Sequence, residues 1–323
     1  MKSIPIVDLG LPCNEGGELD KELVQLLVNA LHHTGFVGIQ GHGIHEDLVS
    51  NVRQEVVSLF ALPHEQKAEH QVSQENYRGY IPCGFFTPNS AKEDVDWYEG
   101  YKLHCEVAAD DSIRHDCDLY GPNLWPTVRP KLQELVAEYW QRCDELSITL
   151  LRALFGALKL PLKTLDAAFK QPLSNMTLLH YPPSEPTADH FGIHPHKDTD
   201  VLTILAPDKV GGLFVSPRES NEWVEVQVPS NTLIVNVGDM LETWSGGYFV
   251  STPHKVVNKS GKERYSFPYF AVPRHDVLIA PLIETPNKDR YLNATAGDIS
   301  RQIWQSNWPD AEAVDSNLDP YIE

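Results

Sequence analysis

A chain of 323 residues is long enough to bury a large core, as one big domain or as a domain with a helical extension. A formal net charge of −19 and a pI near 5.1 argue against a nucleic-acid partner, and no apolar run approaches the roughly 18 residues that cross a bilayer. Five cysteines (Cys13, Cys83, Cys105, Cys117, Cys143) lie far apart without CxxC pairing, and no signal-peptide pattern opens the chain, so a reducing, cytoplasmic location is expected.

The chain opens on a short strand, "IPIVDLG" at 4–10. Residues 18–34 then place Leu23, Leu26, Leu27 and Leu31 on one stripe, which predicts a helix with Gly35 as its C-terminal cap. Residues 46–60 repeat the pattern and stop before Pro63. Residues 83–124 read as irregular, acidic and turn-rich, too long for simple wiring and therefore a functional loop. Within 80–106 the aromatics Phe85, Phe86, Trp97, Tyr98 and Tyr101 stand beside Glu99 and Lys102. With Phe270 further on, they suggest an aromatic pocket for a small organic molecule. The longest periodic run, 130–158, carries Leu132, Leu135, Val136, Tyr139, Trp140, Cys143, Leu146, Leu150, Leu151, Leu154 and Leu158 at three- and four-residue steps. It predicts a long helix, opened by Pro130, that packs on a sheet.

After residue 172 the texture changes to short β-type runs at 176–181, 201–206, 212–216, 223–228, 232–237, 248–250, 254–258 and 264–272. About eight short strands at this spacing predict a closed or double-sheet jelly roll. The chain is thus divided into an N-terminal, mostly helical region with the loop segment (1–125), and a long supporting helix with a jelly-roll core and a C-terminal helix or tail (126–323, catalytic part about 172–275). The last fourteen residues carry five carboxylates and no base, as a solvated tail would.

Two short motifs carry the chemistry. His196 and Asp198 are two apart, so on an extended segment both leave the same face, and His254 arrives from a separate segment. Two imidazoles and one carboxylate form the facial triad of non-haem Fe(II) sites, with open positions left for reaction. The absence of a thiolate argues against structural zinc, whose sites are usually closed. Arg264 and Ser266 share one face of a strand, where a planar guanidinium beside a hydroxyl suits a carboxylate.

These motifs stand in collinear order with "GFVGIQGHGI" (35–44), "LFALPHEQK" (59–67), "YRGYIP" (77–82), "LLHYPP" (178–183), "GGLFV" (211–215), "NVGDML" (236–241) and "RYSFPYF" (264–270). With them the chain resembles the isopenicillin N synthase-like group of 2-oxoglutarate- and Fe(II)-dependent dioxygenases. The resemblance covers most of the chain and implies a double-stranded β-helix fold. It implies that His196, Asp198 and His254 hold Fe(II), that 2-oxoglutarate fills two open positions, and that O2 takes the last. Arg264 and Ser266 would grip the distal carboxylate of 2-oxoglutarate, and Tyr181 would touch this cosubstrate. Leu179 departs from the asparagine of many plant members, and Lys255 from an arginine. The implied activity is hydroxylation or desaturation of a small metabolite, with succinate and CO2 released. Isopenicillin N synthase itself and aminocyclopropane oxidase keep the triad and the Arg-x-Ser pair without consuming 2-oxoglutarate, so an oxidase of that kind is the alternative.

Overall fold

The computed structural model describes residues 3–10, 19–86, 95–183, 191–218, 222–286 and 288–308. Strand β1 (Ile6–Asp8) leads to helix α1 (Lys21–His33), β2 (Phe36–Gln40), α2 (Glu46–Phe60) and α3 (His64–Ala68). Next come β3 (Gly79–Ile81), β4 (Glu99–His104), α4 (Ile113–Asp116), the long α5 (Pro130–Ala157) and α6 (Leu162–Ala168). The second half runs β5 (Asn175–Tyr181), β6 (Ile193–His196), β7 (Leu202–Leu205), β8 (Leu213–Val215), β9 (Val224–Glu225), β10 (Leu233–Val237) and α7 (Asp239–Trp244). It closes with β11 (His254–Val256), β12 (Arg264–Ser266), β13 (Tyr269–Ala271), β14 (Leu278–Ile279), β15 (Ala294–Thr295) and α8 (Ala296–Asn307).

Local chemistry explains the boundaries. Asp20 starts α1 by accepting the Glu22 amide at 2.7 Å, satisfying a donor that the helix leaves unpaired. Gly35 follows the helix at φ +65°, and a Cβ there would stand 2.2 Å from the Val250 carbonyl, so only glycine fits. Along the expected stripe Leu27 and Leu31 are buried with Val28 and Ala30, whereas Leu26 is 53% exposed. Helix α5 begins on Pro130 and buries Leu132, Val136, Tyr139, Cys143, Leu146, Leu150, Leu151 and Leu154 against α1, α2 and the sheet at β7 and β13.

Two sheets make the core. The larger has nine strands in the order β1-β2-β10-β7-β13-β5-β4-β3, with β12 beside β5, and the smaller runs β6-β11-β8-β9. Strand periodicity gives the large sheet two faces. Met176 and Leu178 of β5, Leu202 and Ile204 of β7, and Val235 and Val237 of β10 pack outward on the helices. The inner face carries Leu179 and Tyr181, Leu205 and Ile234, which meet Leu213, Val215 and Val256 of the smaller sheet. The fold is rich in β-sheet with several helices and is consistent with the expected jelly-roll core.

Three expectations change. Residues 99–104, read as irregular, form β4, which pairs antiparallel with β5 along its whole length. Its Gly100, Lys102 and His104 disguise a strand, because no apolar side chain marks that face. Residues 248–250 are not a strand. The amides of Gly246, Gly247 and Tyr248 return to carbonyls of Thr243, Glu242 and Ser245, so the segment winds off the end of α7. The run 264–272 divides into β12 and β13 around Phe267-Pro268, where proline has no amide to donate. The expected acidic tail falls outside the described residues, and no helix among those described is long and apolar enough to cross a membrane.

A buried charge network ties β4 and β5 to the helices. Glu99 accepts from Lys67 Nζ at 2.6 Å and from the Tyr80 hydroxyl at 2.6 Å, and lies 2.7 Å from His180 Nδ1. Burial opposes the charge on Glu99, but His180, Lys67 and Tyr80 outweigh it and hold its pKa down at about 2. Glu99→Gln leaves the Lys67 ammonium buried without its counter-charge and should destabilise the protein by about 3–5 kcal/mol near neutral pH. Because the folded pKa of Glu99 lies below its unfolded value, its contribution is present above the unfolded value and is lost as pH falls toward about 2. Denaturant midpoints of the two proteins should therefore converge on acidification, and a gap unchanged down to acid pH would show that the charge on Glu99 is not the source.

Candidate active site

The two sheets enclose a cavity of about 1240 Å³. His196 is the last residue of β6 and His254 the first of β11, and the register sets them opposite each other, with ring centroids 4.2 Å apart. Asp198 follows two residues after β6 on the way to β7. Its Oδ1 lies 3.7 Å from His196 Nε2 and 3.5 Å from His254 Nε2, and one ligand atom from each residue falls within 4.8 Å of the others. Cis ligands held about 2.1 Å from one ion sit roughly 3 Å apart, so a small adjustment lets all three face a single metal.

The surroundings fix which atoms face inward. His196 Nδ1 lies 2.7 Å from the His194 carbonyl, and His254 Nδ1 lies 3.2 Å from the Thr252 carbonyl. A carbonyl only accepts, so each Nδ1 carries the proton and each Nε2 presents a lone pair. Asp198 Oδ2 accepts from Asn236 Nδ2 at 2.7 Å and from Thr203 Oγ1 at 2.5 Å, which leaves Oδ1 facing the histidines. Burial opposes its ionisation, yet His254, His196 and the Thr203 hydroxyl together hold Asp198 well below the usual carboxylate range. His196 is pushed down by burial and by His254. His254 is raised, because Asp198 outweighs its burial.

Thr203 Oγ1 also stands 2.9 Å from Asp200 Oδ2, and one hydroxyl proton serves only one carboxylate. Burial and the neighbouring charge of Asp198 push the pKa of Asp200 far up, so a neutral Asp200 can supply the second proton.

Arg264 lies on the inner face of β12, directly opposite Tyr181 of β5. It is 2% exposed, its Nε donates to the Gly211 carbonyl at 2.7 Å, and its guanidinium carbon stands 4.6 Å from the centroid of the Tyr181 ring. Nη1 is buried with no hydrogen-bond partner, and no carboxylate among the described residues pairs with this cation. Ser266 and Tyr181 line the same end of the cavity. Burial pushes the Tyr181 hydroxyl up to about 12 against the pull of Arg264, so the phenol stays protonated. An orphaned guanidinium N–H beside two hydroxyls fits an incoming carboxylate, as the open-sided His-Asp-His set fits Fe(II).

Of the aromatics expected around a substrate, Phe86, Tyr98 and Phe270 line the cavity. Phe85 and Trp97 do not. Phe85 packs edge-on against Phe86 and Trp308, and Trp97 is 40% exposed. Tyr101 and Glu99 face the other side of β4, because residues two apart share a face and Lys102 and His104 occupy the inner one. Trp244 is fully buried against Phe155 and stays out of the cavity. His194 lines the cavity and bonds Asp96 through both its amide and Nδ1, whereas His180 turns away to Glu99 and Glu263. His190 lies outside the described residues.

Sequence reading missed the polar groups that orient the triad, Asn236 and Thr203, and the placing of Trp304 of the C-terminal helix α8 on the cavity wall. Asn236 stood in the "NVGD" run as a sheet-holding residue. Its inward face, in step with Ile234, is the signal that could have found it.

The profile described as non-haem dioxygenase in morphine synthesis N-terminal matches residues 4–128, and that of the 2OG-Fe(II) oxygenase superfamily matches 173–273. The chain is 30% identical to the 2-oxoglutarate-Fe(II) type oxidoreductase hxnY of Emericella nidulans, over 97% of this chain and 93% of that protein. It is also 30% identical to a 1-aminocyclopropane-1-carboxylate oxidase of Dictyostelium discoideum, over 84% and 82%. The crystal structure of JOX2 in complex with 2OG, Fe and JA superposes with a TM-score of 0.79 at 27% identity, covering 99% of this chain and 89% of that one.

Replacing Asn236 by Ala removes one of the two groups that hold Asp198 Oδ2. Loss of such an outer partner should weaken Fe(II) affinity about 10- to 100-fold with the fold retained. Metal titration against a chelator, with circular dichroism on the same samples, reads both quantities. Unchanged affinity would mean that Thr203 alone orients the carboxylate.

Proposed function

The chain belongs to the 2-oxoglutarate- and Fe(II)-dependent oxygenase superfamily and is a non-haem Fe(II) dioxygenase, and from that premise we propose that it hydroxylates or desaturates a small organic molecule while converting 2-oxoglutarate to succinate and CO2. The observation that carries this reading is the pairing, in one cavity, of an open His-Asp-His set with a buried guanidinium that has no counter-charge among the described residues.

In this reading His196, Asp198 and His254 would hold Fe(II) through Nε2, Oδ1 and Nε2. Arg264 would grip the distal carboxylate of 2-oxoglutarate with Ser266 and Tyr181 beside it. With iron and 2-oxoglutarate bound, the centre supplies the oxidising power that turns O2 on a C–H bond of the substrate. The protein's own part is binding, orientation and exclusion of water. The two Nδ1–H groups hold the imidazoles at fixed tilt on backbone carbonyls. Asn236 and Thr203 keep Asp198 to a single inward oxygen, which would leave positions open on a bound metal. Leu179, Leu205, Leu213 and Val256 dry the cosubstrate end, which strengthens every charge interaction made there. Phe86, Tyr98 and Phe270 would form part of the substrate wall.

The likeness to an aminocyclopropane oxidase supports a second reading, an oxidase that leaves 2-oxoglutarate untouched. An anaerobic titration with Fe(II) and then 2-oxoglutarate should produce a visible charge-transfer band, and succinate should form in step with O2 consumption when a metabolite library is screened. O2 consumption without succinate would move the assignment to the oxidase.

Substitution separates the roles. His196→Ala, Asp198→Ala and His254→Ala should each abolish Fe(II)-dependent turnover, and near-native activity with native iron content in any of them would remove that residue from the ligand set. Arg264→Lys keeps the charge but loses the planar fork, and the apparent demand for 2-oxoglutarate should rise by about 1–3 kcal/mol, roughly 5- to 150-fold. A Michaelis constant for 2-oxoglutarate unchanged in this variant would place the cosubstrate elsewhere.

A further inference from the structure

Strand β4 carries a second, half-buried cation on the cavity wall that the proposed chemistry does not use. Lys102 sits on its inner face, paired in register with Thr177 of β5, and lines the cavity. Its ammonium donates to Asn175 Oδ1 at 2.6 Å and to Thr177 Oγ1 at 3.0 Å, both neutral oxygens, and no carboxylate among the described residues lies within ion-pair distance. The faces of Phe270 and Trp304 stand 5.2 and 5.7 Å from it. The outer face of the same strand shows the usual solution, for there Lys67 is neutralised by Glu99 at 2.6 Å. Among the described residues Lys102 has no such partner, and an ammonium drawn partly out of water without a counter-ion is costly to keep unless a ligand supplies one. Burial pulls its pKa down to about 7, against the pull of Asp198 and Asp200.

Position gives this cation a role distinct from that of Arg264. Arg264 faces Tyr181 on β5 and Lys102 faces Thr177, four residues along one strand, or roughly 13 Å. The triad adjoins the Lys102 end through short links. Asp198 is held by Thr203, Thr203 is paired with Phe270, and Phe270 is paired with Asn175, which binds Lys102. The other cations on the cavity wall are placed differently: Lys197 lies 3.8 Å from Glu242, and Arg290 is exposed.

We infer that Lys102 is the anion-binding group of the substrate subsite, and that the substrate is a small carboxylate whose apolar body lies against Phe270 and Trp304. This rests on the dioxygenase reading above and adds the chemical class of its substrate. The carboxylate supplies the counter-charge that the fold omits, and the two rings enclose the carbon skeleton between Lys102 and the triad.

The test compares acids with their neutral amides. Protein loaded anaerobically with Fe(II) and saturating 2-oxoglutarate, so that Arg264 is already engaged, is titrated by calorimetry with phenylacetate, cinnamate and octanoate and with the three matching carboxamides. At least one acid should bind about ten-fold more tightly than its amide, the size expected of one charge-assisted hydrogen bond. Lys102→Met should bring that ratio to about one, and Lys102→Arg should retain part of it. If Lys102→Met does not fold, the same ratio is read in Lys102→Gln. A wild-type protein that prefers none of the three acids overturns the inference, as does a preference that survives loss of the ammonium. The charge-transfer band of the loaded protein separates the two levels. A normal band without acid preference defeats this inference alone, and a missing band defeats the dioxygenase reading itself.

Discussion

The architecture turns on one buried carboxylate. Asp198 must keep its charge, 8% exposed, between two imidazoles, and an ion in that position survives only if other groups replace the water it has lost. Asn236 of β10 and Thr203 of β7 do so through a single oxygen, which leaves the other for the histidines. Each holder comes from a central strand of the large sheet, while both histidines come from the smaller one. The site therefore exists only where the two sheets face each other, and the packing of Leu179, Leu205, Leu213 and Val256 that joins the sheets also sets the distances among the three ligands.

Strand β5 acts as a ruler along the cavity. Its outward residues, Met176 and Leu178, anchor it to the helical side, and its inward residues run from Asn175 through Thr177 and Leu179 to Tyr181. One guanidinium lies opposite the far end and one ammonium beside the near end. The two-residue period of β4 thus turns Glu99 outward to Lys67 and Lys102 inward to the cavity, where neither Lys102 nor Arg264 pairs with a carboxylate among the described residues. Charge placement of this kind costs stability unless an anion supplies the missing counter-charge.

The long helix α5 plays no chemical part and carries much of the mechanical load. It packs on β7 and β13, with Trp140 and Asp144 meeting Tyr269, and so backs the same large sheet whose inner face bears Thr203, Asn236 and Arg264. A rigid backing limits side-chain wander at the site, which suits chemistry that depends on a few tenths of an ångström.

Much of this was legible in the residue order. Residue type and spacing alone singled out His196, Asp198 and His254, which the fold brings together, because few other chemistries require two imidazoles and a carboxylate on one side. Helices α2 and α5 followed from their apolar period, and Arg264 with Ser266 from a shared strand face. What stayed hidden depends on which face a polar residue takes within a folded sheet. β4 looked irregular because its inner face is glycine, lysine and histidine, and the roles of Glu99 and Lys102 diverge only once the pairing of β4 with β5 turns one outward and the other inward. Phe85 and Trp97 matched the composition of a pocket but not its location, and Trp304 reached the cavity from a helix more than a hundred residues away. Local sequence determined the kind of chemistry, since ligand identity is a property of side chains. Only the tertiary structure decided which polar groups face it, since that is a property of strand register and of how two sheets close on each other.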